Sequence, residues 1–155
     1  KDITAAFAAP LIINDRADVA LAAGIPGLHV GQDDMDWTDA RRLMGPDAVL
    51  GLSAGTEAQV LAAQDADVQC LGVGPIFATA TKTDTAPAWG LERLRRIRAR
   101  CRQPLVAIGG VNASNAADVI RAGADGLAVV SALCSAPDVR DAARRLRDAI
   151  EAART

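Results

Sequence analysis

Six short apolar runs recur along the chain, each followed by a stretch whose apolar residues keep helical spacing, and this repetition constrains the fold more than any other feature. Short apolar runs read as buried strands. Strands that alternate with helices run parallel, because each helical crossover returns the chain to the end of the sheet where the previous strand began. The spacing predicts strands over residues 11–14, 27–30, 49–53, 70–74, 105–109 and 126–131. It predicts helices over 17–23, 37–44, 56–65, 90–99, 115–122 and 138–154. Half of the residues are apolar but only 3% are aromatic, so the core must be built from Ala, Val, Leu and Ile, the usual filling of parallel sheets covered by helices. The 155 residues fit a single domain, residues 1–155.

An internal echo narrows the architecture. Ala23-Gly24-Ile25-Pro26-Gly27-Leu28-His29-Val30 parallels Ala122-Gly123-Ala124-Asp125-Gly126-Leu127-Ala128-Val129, each a helix stopped by glycine and turned straight into a strand. With three strands between them, the two copies stand four units apart at roughly 25 residues per unit, the spacing of a compact eightfold barrel. The expected fold is therefore an α/β chain of the (β/α)8 TIM-barrel type, with about six of the eight units present and the first two strands lacking. On that count the final strand is the eighth, and residues 1–9 are the end of the second helix and its exit. An open doubly wound sheet is the competing architecture, but its GxGxxG fingerprint after a first strand is missing.

Charge and cysteine usage exclude several classes. The formal net charge is -2 and the 17 basic residues are dispersed except over 93–102, where Arg93, Arg96 and Arg100 are spaced as the solvated face of a helix with Leu94 and Ile97 opposite. Nucleic-acid binding is not supported. Cys70, Cys101 and Cys134 are odd in number and form no CxxC, which argues against a disulfide framework or a zinc site and suits a reducing compartment. No apolar run reaches membrane-spanning length and no leader pattern is visible, so a soluble, cytoplasmic protein without membrane contact is expected.

In a barrel of this kind the chemistry lies at the carboxyl ends of the strands. The first run ends in Asn14-Asp15-Arg16 and the second in Gly31-Gln32-Asp33-Asp34, so Asp15 and Asp34 rise from neighbouring strands: either a hard-cation site or two helix N-caps. The fourth run leads into Thr79-Ala80-Thr81-Lys82, two hydroxyls and an ammonium group that either read phosphate or decorate a surface loop. Gly109-Gly110-Val111-Asn112 and Val130-Ser131-Ala132 end the last two runs, where this fold commonly holds phosphate on backbone amides; tight turns are the plain alternative.

Taken together, Leu11-Ile12-Ile13-Asn14-Asp15-Arg16, His29-Val30-Gly31-Gln32-Asp33-Asp34, Gly51-Leu52-Ser53, Gly72-Val73-Gly74-Pro75-Ile76-Phe77 with Thr79-Ala80-Thr81-Lys82, Ala107-Ile108-Gly109-Gly110-Val111, and Ala122-Gly123-Ala124-Asp125-Gly126 with Val130-Ser131 resemble the thiamine phosphate synthase family in order and position. The resemblance implies a transferase that joins a pyrimidine diphosphate to a thiazole phosphate with Mg2+. It implies Asp15 and Asp34 as metal ligands, Asn14, Ser53 and Lys82 on the diphosphate, and Thr79, Thr81, Gly110, Val130 and Ser131 on the thiazole phosphate. Ser53 and Lys82 would also serve catalysis, because the family's reaction expels pyrophosphate to leave a pyrimidine-methyl cation that the thiazole nitrogen captures. No side-chain nucleophile is required, so His29 is expected to be structural.

Departures from the family are also visible. Its Gln-x-Arg-x-Lys stretch is absent, and Gly55 stands where a histidine is common. A thiazole tautomerase and a non-catalytic phosphate-binding barrel are the alternative readings. Two open sheet edges would favour association of the chain with itself into homo-oligomers.

Overall fold

The computed structural model describes residues 1–79 and 87–155. Along the chain run α1 (Asp2–Ala6), β1 (Ile13–Asn14), α2 (Ala17–Ala23), β2 (Gly27–Val30), α3 (Trp37–Met44), β3 (Val49–Ala54) and α4 (Glu57–Ala62), the last tightening into a 3-10 turn over Ala63–Asp65. Then come β4 (Cys70–Val73), α5 (Gly90–Arg98), β5 (Leu105–Ile108), α6 (Ala116–Arg121), β6 (Gly126–Ala128), α7 (Ser131–Cys134) and α8 (Val139–Arg154). All strand pairs are parallel and their order is β1-β2-β3-β4-β5-β6. Strictly sequential order is that of a barrel wall. A doubly wound sheet would reverse direction at a switch point, so that competing architecture is set aside.

Four predicted strands are longer than the observed ones, those over 70–74 and 105–109 by one residue and the first and last by two and three. The first pairs only at Ile13 and Asn14, opposite Leu28 and His29, because β2 starts at Gly27 and the residue before it, Pro26, has no N–H to extend the ladder. The last ends at Ala128, since Val130 already leaves the extended region (φ -116, ψ -76) to begin α7. The echoed turns behave alike: α2 and α6 are each followed by a positive-φ glycine, Gly24 (φ 59) and Gly123 (φ 109), leading directly into β2 and β6.

The two faces of the sheet differ in kind. One face carries Leu28, Val30, Leu50, Leu52, Leu71, Val73, Leu105 and Ala107, each at most 5% exposed within the apolar core. Strand alternation sends their neighbours to the other face. There the register sets Asn14 beside His29, His29 beside Gly51 and Gly51 beside Cys70, with Ser53 beside Gly72 and Ile108 beside Ala128 one step toward the carboxyl ends. The sheet is curled toward this second face: the His29 ring reaches across β3 to within 3.2 Å of where a Cβ on Gly72 would lie.

The amino-terminal ends of the strands are tied by half-buried arginines and the polar groups they pair with. Arg41 donates to the carbonyls of Gly45 (2.9 Å), Ala48 (2.8 Å) and Asp67 (2.9 Å), and Arg98 pairs with Asp125 (2.8 Å), whose carboxylate accepts the Leu105 N–H (2.7 Å). That end is structural, which leaves the carboxyl ends for chemistry. As predicted from spacing, Leu94 and Ile97 are fully buried and Arg96 and Arg100 are exposed, but Arg93, expected on the same solvated face, is half-buried against Trp89 and Glu57. Among the described residues no helix is long and apolar enough to cross a membrane.

Candidate functional site

A cavity of about 460 Å³ opens over the curled face at the carboxyl ends of the strands. Its wall takes Asn14 from β1, Ser53 and Gly55 from the end of β3, and Gly74 and Thr79 from the segment after β4. Gly110 follows β5, and Val130 and Ser131 follow β6. Six of the sequence-predicted site residues, Asn14, Ser53, Thr79, Gly110, Val130 and Ser131, therefore meet around one opening. They are drawn from the ends of five of the six strands, all but β2, and only the parallel register brings them together. Thr81 and Lys82 lie outside the described residues.

Gly110 shows why the far wall is built of glycine. Its φ is 65, and an added Cβ would lie 2.7 Å from both the Ala78 carbonyl and the Phe77 Cβ, so a side chain is barred on conformation and on space. The loop behind it is held by Asn115, which donates to the Gly110 carbonyl (3.0 Å) and accepts the Asn112 N–H (2.9 Å). A neighbouring cavity shares Thr79, Gly110, Val111 and Ser131, which extends the polar, backbone-lined end of the site.

The two aspartates are not helix caps. The N-cap of α2 is Arg16 and that of α3 is Asp36, whose side chain accepts the Thr38 N–H at 2.8 Å. Asp15 instead follows β1 with a left-handed backbone (φ 64), its N–H donating to the His29 carbonyl at 2.8 Å. Asp34 folds back so that its carboxylate accepts the Gly31 N–H at 2.7 Å, and it borders a separate, smaller cavity with Gln32 and Trp37 that shares no lining residue with the main one. Neither carboxylate is among the main cavity's lining residues, but both lie near enough to His29 for their charges to act on it. Among the described residues no cluster of three or more His, Cys, Asp or Glu side chains forms an all-protein metal cage.

His29, expected to be structural, lies on the curled face with its Nε2 at 2.8 Å from the Ser53 Oγ, and it is not among the residues lining the main cavity. The space comes from glycine: a Cβ on Gly51, its partner in the register, would collide with His29 Nδ1. Burial pushes the His29 pKa below its ordinary value, with the charges of Asp15 and Asp34 opposing the shift, so the ring is neutral near neutral pH. The sequence did hold a signal, since two glycines, Gly51 and Gly72, occupy the strand positions that the ring overlies. Ser53 is held on a second side as well, because Gln32 donates its amide to the Ser53 carbonyl at 2.6 Å.

Comparison with known proteins agrees with this geometry. Residues 1–133 match the family model described as thiamine monophosphate synthase. The chain is 56% identical over 152 residues to the thiamine-phosphate synthase of Albidiferax ferrireducens, covering 98% of this chain and 69% of that protein. It is 56% identical over 147 residues to the thiamine-phosphate synthase of Chloroflexus aurantiacus, covering 95% and 68%. Among solved structures, the thiamine phosphate pyrophosphorylase from Pyrococcus furiosus superposes with a TM-score of 0.88 at 37% identity, over 98% of this chain and 72% of that one.

Proposed function

The chain belongs to the thiamine monophosphate synthase family, and on that premise we propose that it is a transferase condensing 4-amino-2-methyl-5-hydroxymethylpyrimidine diphosphate with thiazole phosphate to thiamine phosphate and pyrophosphate. The observation that carries this reading is the meeting of Asn14, Ser53, Thr79, Gly110, Val130 and Ser131 around one cavity. Asn14 and Ser53, with Lys82, hold the pyrimidine diphosphate. Thr79, Thr81, Gly110, Val130 and Ser131 receive the phosphate of the thiazole, where backbone amides and hydroxyls supply directional donors.

The reaction asks little covalent chemistry of the protein. The bond from the pyrimidine methylene carbon to the diphosphate oxygen breaks and its electron pair leaves with pyrophosphate. The thiazole nitrogen then gives its lone pair to that carbon, so no side chain need become bonded to substrate. What the chain contributes is position and fixed dipoles. With His29 neutral, the tautomer protonated at Nε2 donates to Ser53 Oγ and leaves the serine O–H to donate to a diphosphate oxygen. Lys82 would oppose the departing charge as a point cation.

Asp15 and Asp34 fit a magnesium ion. They stand after adjacent strands, their charges both act on His29, and Mg2+ commonly takes one or two protein carboxylates and completes its shell with phosphate oxygens and water. When bound, the ion would supply positive charge to the diphosphate. We read the six-stranded curl as part of an eight-stranded TIM barrel, which the sequential strand order and the Pyrococcus furiosus superposition support. A cytoplasmic setting suits free cysteines.

Incubation with both substrates and Mg2+ tests the reading directly. Thiamine phosphate and pyrophosphate should appear in equal amounts. A thiazole tautomerase would release no pyrophosphate, and a non-catalytic barrel would yield neither product.

A further inference from the structure

We propose that Trp89 is a positioning residue for this reaction, acting through Gly55 to hold Ser53 at the cavity wall; the proposal rests on the synthase reading. Trp89 stands at the start of α5, is only 6% exposed, and is the N-cap residue of that helix without a side-chain cap bond of its own. Its indole N–H is spent elsewhere, donating to the Gly55 carbonyl at 2.9 Å. Its backbone is pinned as well, the Trp89 N–H to the Pro75 carbonyl at 2.8 Å and the Gly90 N–H to the Ile76 carbonyl at 2.9 Å. One residue thus ties the end of β3 to the segment after β4, and Ser53, Gly55, Gly74 and Pro75 from these two places all line the cavity.

Each side of this brace is itself held. The Arg93 guanidinium lies over the indole face, 4.5 Å from the ring centroid, and its Nε is 3.2 Å from a Glu57 carboxylate oxygen. Glu57 opens α4, and from the same first turn Gln59 accepts the Gly55 N–H (2.8 Å) and the Thr56 N–H (3.0 Å). Gly55 is therefore gripped at both polar groups, at the carbonyl by Trp89 and at the N–H by Gln59. An added Cβ on Gly55 would meet nothing closer than 3.7 Å, so its position is set by these two hydrogen bonds and not by crowding. Removing the indole donor leaves a partly buried carbonyl unpaired two residues from Ser53, and a hydroxyl displaced by a fraction of an ångström loses its aim at a diphosphate oxygen.

Trp89→Phe tests this, because it keeps an aromatic face for Arg93 and deletes the N–H. The expected result is a rise of about fivefold in KM for the pyrimidine diphosphate, the size of one neutral hydrogen bond, with KM for the thiazole phosphate unchanged. In the substrate-free protein, amide exchange across residues 53–56 should quicken by a similar factor. Leu146→Ala, a buried truncation in α8 that is not among the residues lining the main cavity, provides the control for lost stability and should leave both readouts alone. Equal KM shifts in the two variants, or unchanged exchange at 53–56 in Trp89→Phe, would overturn the brace. If the parent protein turns over neither substrate, the synthase reading fails, and the exchange measurement then decides the brace alone.

Discussion

The two faces of the sheet are built from the same strands and follow opposite rules. Toward the helices, Leu28, Leu50, Leu71 and Leu105 are fully buried and their side chains belong to the apolar core. On the curled face, the intervening positions hold Asn14, His29, Gly51, Ser53 and Gly72, small or polar residues that leave room for a ring, a hydroxyl and a cavity. One face is optimised for packing density and the other for access. The lesson is that in a parallel sheet a shift of one residue separates a position that can be judged by volume from one that must be judged by chemistry.

Substitutions on either face should break differently. Leu71→Ala removes a fully buried side chain from the helix-facing side and should cost about 2–5 kcal/mol in chemical denaturation, with KM values of the folded fraction unchanged. Asp34→Ala should do the reverse: kcat falls about a hundredfold and its dependence on Mg2+ weakens, while stability changes by less than about 1 kcal/mol. Similar stability losses from both would erase the distinction.

Gly51→Ala sharpens the comparison, since it adds one methyl group on the curled face where His29 lies. Displacing the ring should cost about 1–3 kcal/mol and also raise KM for the pyrimidine diphosphate through Ser53. The smallest effect concerns pH. Because burial lowers the folded pKa of His29 from 6.5, the unfolded chain binds the proton more readily, so the His29 contribution lowers stability as pH falls below about 6.5 and is flat above it. Comparing thermal melts of the parent and His29→Asn across pH 5 to 8 should isolate this slope, which the variant lacks.

Much of the fold was legible in the spacing of apolar residues. The bounds of α2, α3 and β2 coincide with those expected from periodicity, because each is delimited by a strong local signal: Gly24 after α2, Asp36 before α3, Pro26 before β2. Where local signals were weaker, the elements came out shorter. The stretch expected to be helical over 56–65 holds a true capping box at Thr56 and Gln59 but tightens into a 3-10 turn at Ala63. The rim residues were legible too, since strand ends are marked by the change from apolar to polar. The cap alternative for Asp15 and Asp34 was not decidable that way, because a cap depends on backbone angles one or two residues away, and Arg16 and Asp36 hold those positions.

What the sequence alone determined was the order of elements, the parallel sheet and the polar residues at its carboxyl rim, which follow from short apolar runs alternating with stretches of 3.6-residue period and from the change to polar residues where each run ends. Only the tertiary structure decided that His29 faces Ser53 across Gly51, that Trp89 grips Gly55 from the start of α5, and that Asp34 folds back onto Gly31. These contacts join residues on different strands and helices or turn on the angles of a loop, so they depend on register and curvature, which no local pattern encodes.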